Sequence, residues 1–233
     1  MERKKNHVPH RHMKKQILLL ASVIISTLAM AQDKPHFGVR GGFSSASLKG
    51  DAVNSLQNLL DFTNGAISTT SHSGFYGGGY VNIPLSKELS VEPALYYTQK
   101  GYTMTGKLNI KGADFLGING KAQLNSQYID VPVVLKGNMG GLQVFAGPQI
   151  SYLTKADLHT SAGALGFNVV NSTSDATAQF NRWDMGLTGG IGYQFSNGLN
   201  ITAAYDHGLS KVDANQNLNS YNRSFKVGLG FNF

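Results

Sequence analysis

The chain contains no cysteine. Disulfide bonds, a thiolate zinc site and a lipid anchor on cysteine are therefore excluded. Beyond Gln32 no stretch is apolar enough for a membrane-spanning helix. No G-x-S-x-G nucleophile elbow is present. After the first 31 residues no two histidines stand at i, i+2 or i, i+4, and His72 and His159 are isolated. His207 adjoins Asp206 and precedes Gly208-Leu209-Ser210. Strand neighbours point to opposite faces, so Asp206 does not orient His207. The glycine runs Gly77-Gly78-Gly79 and Gly186–Gly192 lie inside strand patterns, whereas a phosphate loop precedes a helix. The expectation is a chain with no catalytic residue, no cofactor and no metal.

Charge is also sparse once its source is located. The formal net charge is +7. Residues 1–31 hold six of the 20 Lys/Arg and one of the 13 Asp/Glu. The remainder has 14 basic and 12 acidic residues, a net +2. The basic character belongs mostly to the leading segment and is no sign of nucleic-acid binding. That segment reads as an export signal. Met13-Lys14-Lys15 is basic, Ile17–Leu28 is apolar and Ala29-Met30-Ala31 is a cleavage site. Residues 1–31 are expected to be a signal peptide, with Met13 a candidate start that would make residues 1–12 an over-extension. Residues 32–233 are expected to form one domain.

What the chain does have is glycine, 28 in all, with 10% aromatics. This balance suits close-packed alternating strands better than helices. The clearest alternation is Ser220–Phe233. Tyr221, Phe225, Val227, Leu229, Phe231 and Phe233 share one face with a single polar member, Arg223. Asn222, Ser224, Lys226, Gly228, Gly230 and Asn232 share the other. Similar patterns cover His36–Ser44, Gly74–Ile83, Leu89–Tyr102, Leu124–Lys136, Leu142–Leu153, Phe180–Phe195 and Leu199–Leu209. Phe145 and Val134 break it by falling on polar faces. Each segment is near the ~10 residues that a tilted transmembrane strand needs.

The connections alternate in length. Residues 45–73, 103–123 and 154–179 are long, and 210–219 is intermediate. Residues 84–88, 137–141 and 196–198 are short. Short turns on one side and long loops on the other are the pattern of outer-membrane barrels. Asp51–Phe62 has helix-like spacing at Val53, Leu56, Leu59 and Leu60. Alternation alone does not separate a membrane barrel from a soluble β-sandwich or lipocalin-like barrel, whose apolar face points inward. Lipid-out is favoured by the loop alternation, the terminal Phe, and aromatics near strand ends such as Tyr97, Tyr152, Trp183, Phe195, Tyr205 and Phe231. The expected fold is an all-β, eight-stranded antiparallel up-and-down transmembrane barrel. Its polar face carries Arg40, Lys100, Lys136 and Lys226 with Glu92, Asp130, Asp184 and Asp206. An eight-stranded barrel is just wide enough for side chains to fill, so these charges are expected to pair as a structural network.

The chain resembles the Bacteroidetes outer-membrane β-barrel family of PorT-like or porin-family proteins. Phe37–Gly42, Tyr97–Gly101 and above all Tyr128–Lys136 carry the resemblance, with Trp183–Leu187 and Val227–Phe233. It implies an outer-membrane barrel inserted by the barrel-assembly machinery, with Phe231 and Phe233 in the C-terminal assembly signal. One relative takes part in protein secretion across the outer membrane. The expected partners are outer-membrane lipid or lipopolysaccharide and the assembly machinery. A surface or secretion partner would bind loops 45–73, 103–123 and 154–179. The expected role is structural or surface interaction without enzymatic activity. A narrow channel or secretion accessory is the alternative, and a lipid-modifying enzyme a further one.

Overall fold

The structure is a computed structural model, and it describes residues 34–50, 66–108, 118–164, 167–214 and 219–233. The leading segment 1–31 and the helix-like Asp51–Phe62 lie outside the described residues. The strands are β1 (His36–Gly50), β2 (Ala66–Pro84), β3 (Leu89–Leu108), β4 (Ile118–Met139), β5 (Leu142–Ala164), β6 (Phe167–Asp175), β7 (Trp183–Gln194), β8 (Leu199–Gly208) and β9 (Ser220–Asn232). All strand pairs are antiparallel. Every strand but β6 joins a ring of eight, closed between β1 and β9 and between β4 and β5.

The ring is staggered. Partners can be followed from Pro84 through Ser90, Lys136, Phe145, Gly190, Ala204, Lys226 and Ser44. The row returns to β2 at Gly74, ten residues from Pro84 and nearer the long connections. Such a stagger forces the strands to tilt, and eight strands then leave an interior that side chains fill. The walls also approach closely. A Cβ on Gly42 or Gly78 would lie 2.0 Å from a carbonyl oxygen of the neighbouring strand. The short ends are tight: Gly140 and Gly141 form the two-residue turn between β4 and β5 with φ of 58° and 94°, values that favour glycine.

The two faces of the wall are inverted relative to a water-soluble protein. Phe43, Met185, Leu229 and Phe233 are exposed outside, while Lys100, Asp130 and Lys226 are buried inside. Phe43 is 77% exposed and Asp130 is 0%. A hydrocarbon solvent makes that arrangement favourable, because apolar side chains facing lipid tails lose nothing by exposure, and the closed ring satisfies the backbone polar groups that lipid cannot. The inward apolar face of a soluble barrel is thereby excluded. In Gly74–Ile83 the alternation puts Ile83 on the apolar face with Phe75 and Val81, but it is buried beside the turn at Pro84.

The long connections are corrected in extent. Residues 45–50, 66–73, 103–108 and 118–123 continue β1 to β4, and 154–164 continues β5. β6 then folds back on β5. Ladder hydrogen bonds need no apolar alternation, so these extensions carry none of the sequence signal that marks the membrane segments. The expected strand Phe180–Phe195 is shorter at its start. β7 begins at Trp183, and Phe180 instead bridges Asp213.

Candidate functional site

The charged side chains of the inner face are the site, and their grouping follows from the stagger. Glu92 on β3 lies between Arg40 on β1 and Lys136 on β4. Arg40 Nη1 is 2.8 Å from Glu92 Oε1, and Lys136 Nζ pairs with Oε2. Arg40 Nη1 also donates to Tyr96 OH at 2.9 Å, and its guanidinium lies 4.3 Å from the Tyr80 ring centroid. Asn200 Nδ2 donates to Tyr80 OH at 2.9 Å, and Tyr80 OH itself donates to Asn232. This group sits toward the short turns.

A second group centres on Asp130 in β4. Lys100 Nζ is 3.0 Å from Oδ1 and Lys226 Nζ is 2.9 Å from Oδ2. Lys226 also reaches Asp206 Oδ2 at 2.7 Å, and Thr188 Oγ1 donates to Asp206 Oδ1 at 2.8 Å. Lys100 is 4.5 Å from the Tyr128 ring centroid and donates to Ser151 at 3.3 Å. Burial of an ion is costly unless it is paired and hydrogen-bonded. Here each carboxylate shares two cations or a cation and a hydroxyl.

Seven of the eight charges named from the sequence meet in these pairs. Asp184 stands apart from them. It accepts a hydrogen bond from Asn222 Nδ2 at 2.8 Å, and no ion pair reaches it among the described residues. The sequence reading missed the phenol rings and amides that complete the groups: Tyr80, Tyr96, Tyr128 and Asn200. Their polar-face parity was the available signal, since a tyrosine on a strand's polar face has a lumen partner for its hydroxyl.

Above the ionic groups the lumen turns apolar. Leu124, Tyr128, Leu153, Ala156 and Ala176 form a buried cluster, with Tyr102, Leu158 and Phe180 against it. A bulge builds this cap. The register between β4 and β5 slips between Gln127 and Tyr128, leaving Thr154 as the extra residue. Thr154 Oγ1 donates to Gln127 O at 2.9 Å. The slip changes inward parity on β5, so Leu153 and then Ala156 are both buried. The short 3-10 turn Thr177–Gln179 seats the cap: Ala156 N donates to Thr177 Oγ1 at 3.0 Å, and Ala176 N to Ala156 O at 2.8 Å.

On the solvated outside of this upper region, Lys155 pairs with Asp157 at 2.7 Å. The hydrogen bond and charge of Asp157 raise the lysine above its ordinary range. Asp175 is held below the ordinary aspartate range by hydrogen bonds from Thr177, side chain first and backbone second. Thr177 N lies 2.7 Å from Asp175 Oδ1.

Asp206, His207 and Ser210, the side chains that a lipid-modifying enzyme would need together, do not converge. Asp206 is buried in the lumen and His207 is exposed on the outer face. Ser210 Oγ accepts the N–H of Met185 at 2.9 Å. Among the described residues no group of three His, Cys, Asp or Glu is placed to hold a metal ion.

No curated protein matches the chain. Among solved structures it is similar to Ail, the attachment invasion locus protein of Yersinia pestis, at 11% identity and a TM-score of 0.45, covering 86% of this chain and 100% of that one. It is also similar to the outer membrane protein OprG from Pseudomonas aeruginosa, at 14% identity and a TM-score of 0.42, covering 88% and 98%. The family model described as outer membrane protein beta-barrel domain matches residues 30–214, and the chain belongs to that family.

Proposed function

We propose that this outer-membrane barrel is a structural or surface-interaction protein with a closed lumen and no enzymatic activity. The observation that carries the reading is the stacking of two kinds of filling in one narrow ring. Paired ions occupy the membrane-level lumen, and the apolar cluster around Leu153 lies over them. An ion entering from outside would cross an apolar layer and then displace charges already neutralised by each other. The lack of convergence between Asp206, His207 and Ser210 supports the non-enzymatic part.

Export through a cleaved leader over residues 1–31 belongs to this proposal, as does insertion by the barrel-assembly machinery. Phe231 on the outer face of β9 and Phe233 just past its end stand exposed with ring centroids 5.5 Å apart, accessible to such a reader. Lipid or lipopolysaccharide surrounds the wall. A protein partner would meet the extended hairpins β1–β2, β3–β4 and β5–β6, which replace the loops 45–73, 103–123 and 154–179 as the units of recognition. The Bacteroidetes PorT-like affiliation, and with it a secretion accessory role, is the second reading, supported by Tyr128–Lys136.

The test is single-channel recording in planar bilayers with protein shown to be folded by heat-modifiable gel migration. The expected result is no stepwise conductance. Discrete openings from the folded form would refute a closed lumen and favour the narrow channel.

A further inference from the structure

Arg223 is the one polar member of the lipid-facing side of β9, between Tyr221 and Phe225. Its surroundings differ from those of other cations at the same rim. Lys155 has Asp157 at 2.7 Å, and Arg182 acts electrostatically on Asp175. Arg223 forms no ion pair with any described residue. Its Nη1 donates to Gly208 O at 2.7 Å and to Asn222 O at 2.9 Å. These two carbonyls hold one corner of the guanidinium. No acceptor among the described residues meets Nε or Nη2, so the fork edge that pairs with two oxygens of one anion is left over.

The height of the residue supplies the second argument. Leu187, His207 and Arg223 form one cross-strand row on the outer face. The ring's stagger lifts each such row toward the long hairpins from β7 to β9. Arg223 thus stands near the level of Trp183 and Tyr152, whose rings pack 4.9 Å apart. Aromatic girdles of this kind mark the boundary between hydrocarbon and headgroups. His207 is the exposed cross-strand neighbour, and an imidazole has an N–H to donate in either protonation state.

We infer that Arg223, flanked by His207, is a binding site for a phosphate group of an outer-leaflet glycolipid. The Tyr221 ring, its centroid 5.8 Å from the guanidinium carbon, and the two carbonyls supply no counter-anion, and a phosphate monoester with three oxygens fits the free fork edge. The inference rests on the outer-membrane, lipid-embedded reading above and adds the chemical group that is recognised. Free phosphate has the same chemistry, and the experiment separates the two.

Folded full-length protein in detergent would be titrated with lipid A carrying its phosphates, with dephosphorylated lipid A, and with inorganic phosphate alone. Retained lipid would be counted by native mass spectrometry. The expected result is one equivalent of phosphorylated lipid per barrel, with affinity lowered roughly tenfold in Arg223→Gln. Arg223→Lys, which keeps the charge and loses the fork, should fall between. Equal retention of dephosphorylated lipid, or unchanged affinity in Arg223→Gln, would overturn the site. Displacement of the lipid by inorganic phosphate at matching concentration would overturn the lipid as its source. Heat-modifiable migration of Arg223→Gln shows that the variant folds. Channel openings would refute the closed lumen and leave this site standing, while loss of phosphate discrimination would do the reverse.

Discussion

Asp130 and Leu153 lie one above the other in the same β4–β5 pair, Asp130 opposite Ser151 and Leu153 opposite Tyr128, yet the lumen fillings at the two levels are opposite. Asp130 is ringed by Lys100 and Lys226, while Leu153 packs with Leu124 and Ala156. The solvent outside the wall explains the difference. Where hydrocarbon surrounds the ring, apolar residues gain nothing by moving inward, and the interior is free to hold polar groups. Above the membrane, water surrounds the wall and burial of apolar surface again drives packing. The upper region therefore folds as a water-soluble barrel does. The bulge at Thr154 is the joint at which β5 changes register from one regime to the other.

The largest expected effect breaks the lower region. Asp130→Asn leaves Lys100 and Lys226 without their shared carboxylate. Removing one partner of a buried pair costs about 3–5 kcal/mol. Urea unfolding in detergent micelles should show the loss, and adding Lys100→Met should recover part of it, because it removes one stranded charge. An unchanged unfolding midpoint in Asp130→Asn would mean that the network adds nothing to stability and that a transport role merits renewed attention.

The cap should respond separately. Leu153→Ala deletes a fully buried side chain, a change that costs about 2–5 kcal/mol in packed cores. The loss should be confined to the region above the membrane. Hydrogen exchange should accelerate at the amides of Ala156 and Ala176, which bond to Thr177 Oγ1 and Ala156 O. Heat-modifiable migration should persist. If the whole barrel lost its gel shift together with those amides, the two regions would be one cooperative unit.

The same division explains what the sequence made readable. In the membrane, lipid demands an apolar outer face, so Val227, Leu229 and Phe231 alternate cleanly with Lys226, Gly228 and Gly230. The eight strands of the ring were legible from that alternation, the inside-out orientation from the loop lengths, the terminal Phe and the aromatics near strand ends, and β6 from neither. Phe145 and Val134 looked like noise and are buried on the inner face, where Phe145 closes over Gly190. The pairings themselves were not legible. Arg40 and Glu92 lie 52 residues apart, and Lys226 and Asp130 lie 96 apart. Their meeting depends on the ten-residue stagger, which no local pattern encodes. The cap was hidden for a further reason: the bulge reverses parity within β5, so Leu153, Ala156 and Leu158 fit no single alternation.

The smallest expected effect sharpens the upper region alone. Asp175 is depressed because its carboxylate accepts hydrogen bonds from Thr177, whose own hydroxyl oxygen holds Ala156 N. A depressed folded-state value means that the contribution to stability is present above the unfolded aspartate value of about 3.9. It is lost as pH falls through the lower folded value. The cap should therefore hold through neutral and mildly acidic pH and loosen only in strong acid. An NMR titration of the Asp175 carboxyl carbon should give a midpoint below the ordinary aspartate range. Thr177→Val removes the hydroxyl and keeps the backbone N–H, so it should move the midpoint part of the way back. A wild-type midpoint at the ordinary value would detach Asp175 from the cap, leaving the Ala156–Thr177 and Ala176–Ala156 hydrogen bonds and the apolar neighbours of Leu153 to hold the 3-10 turn.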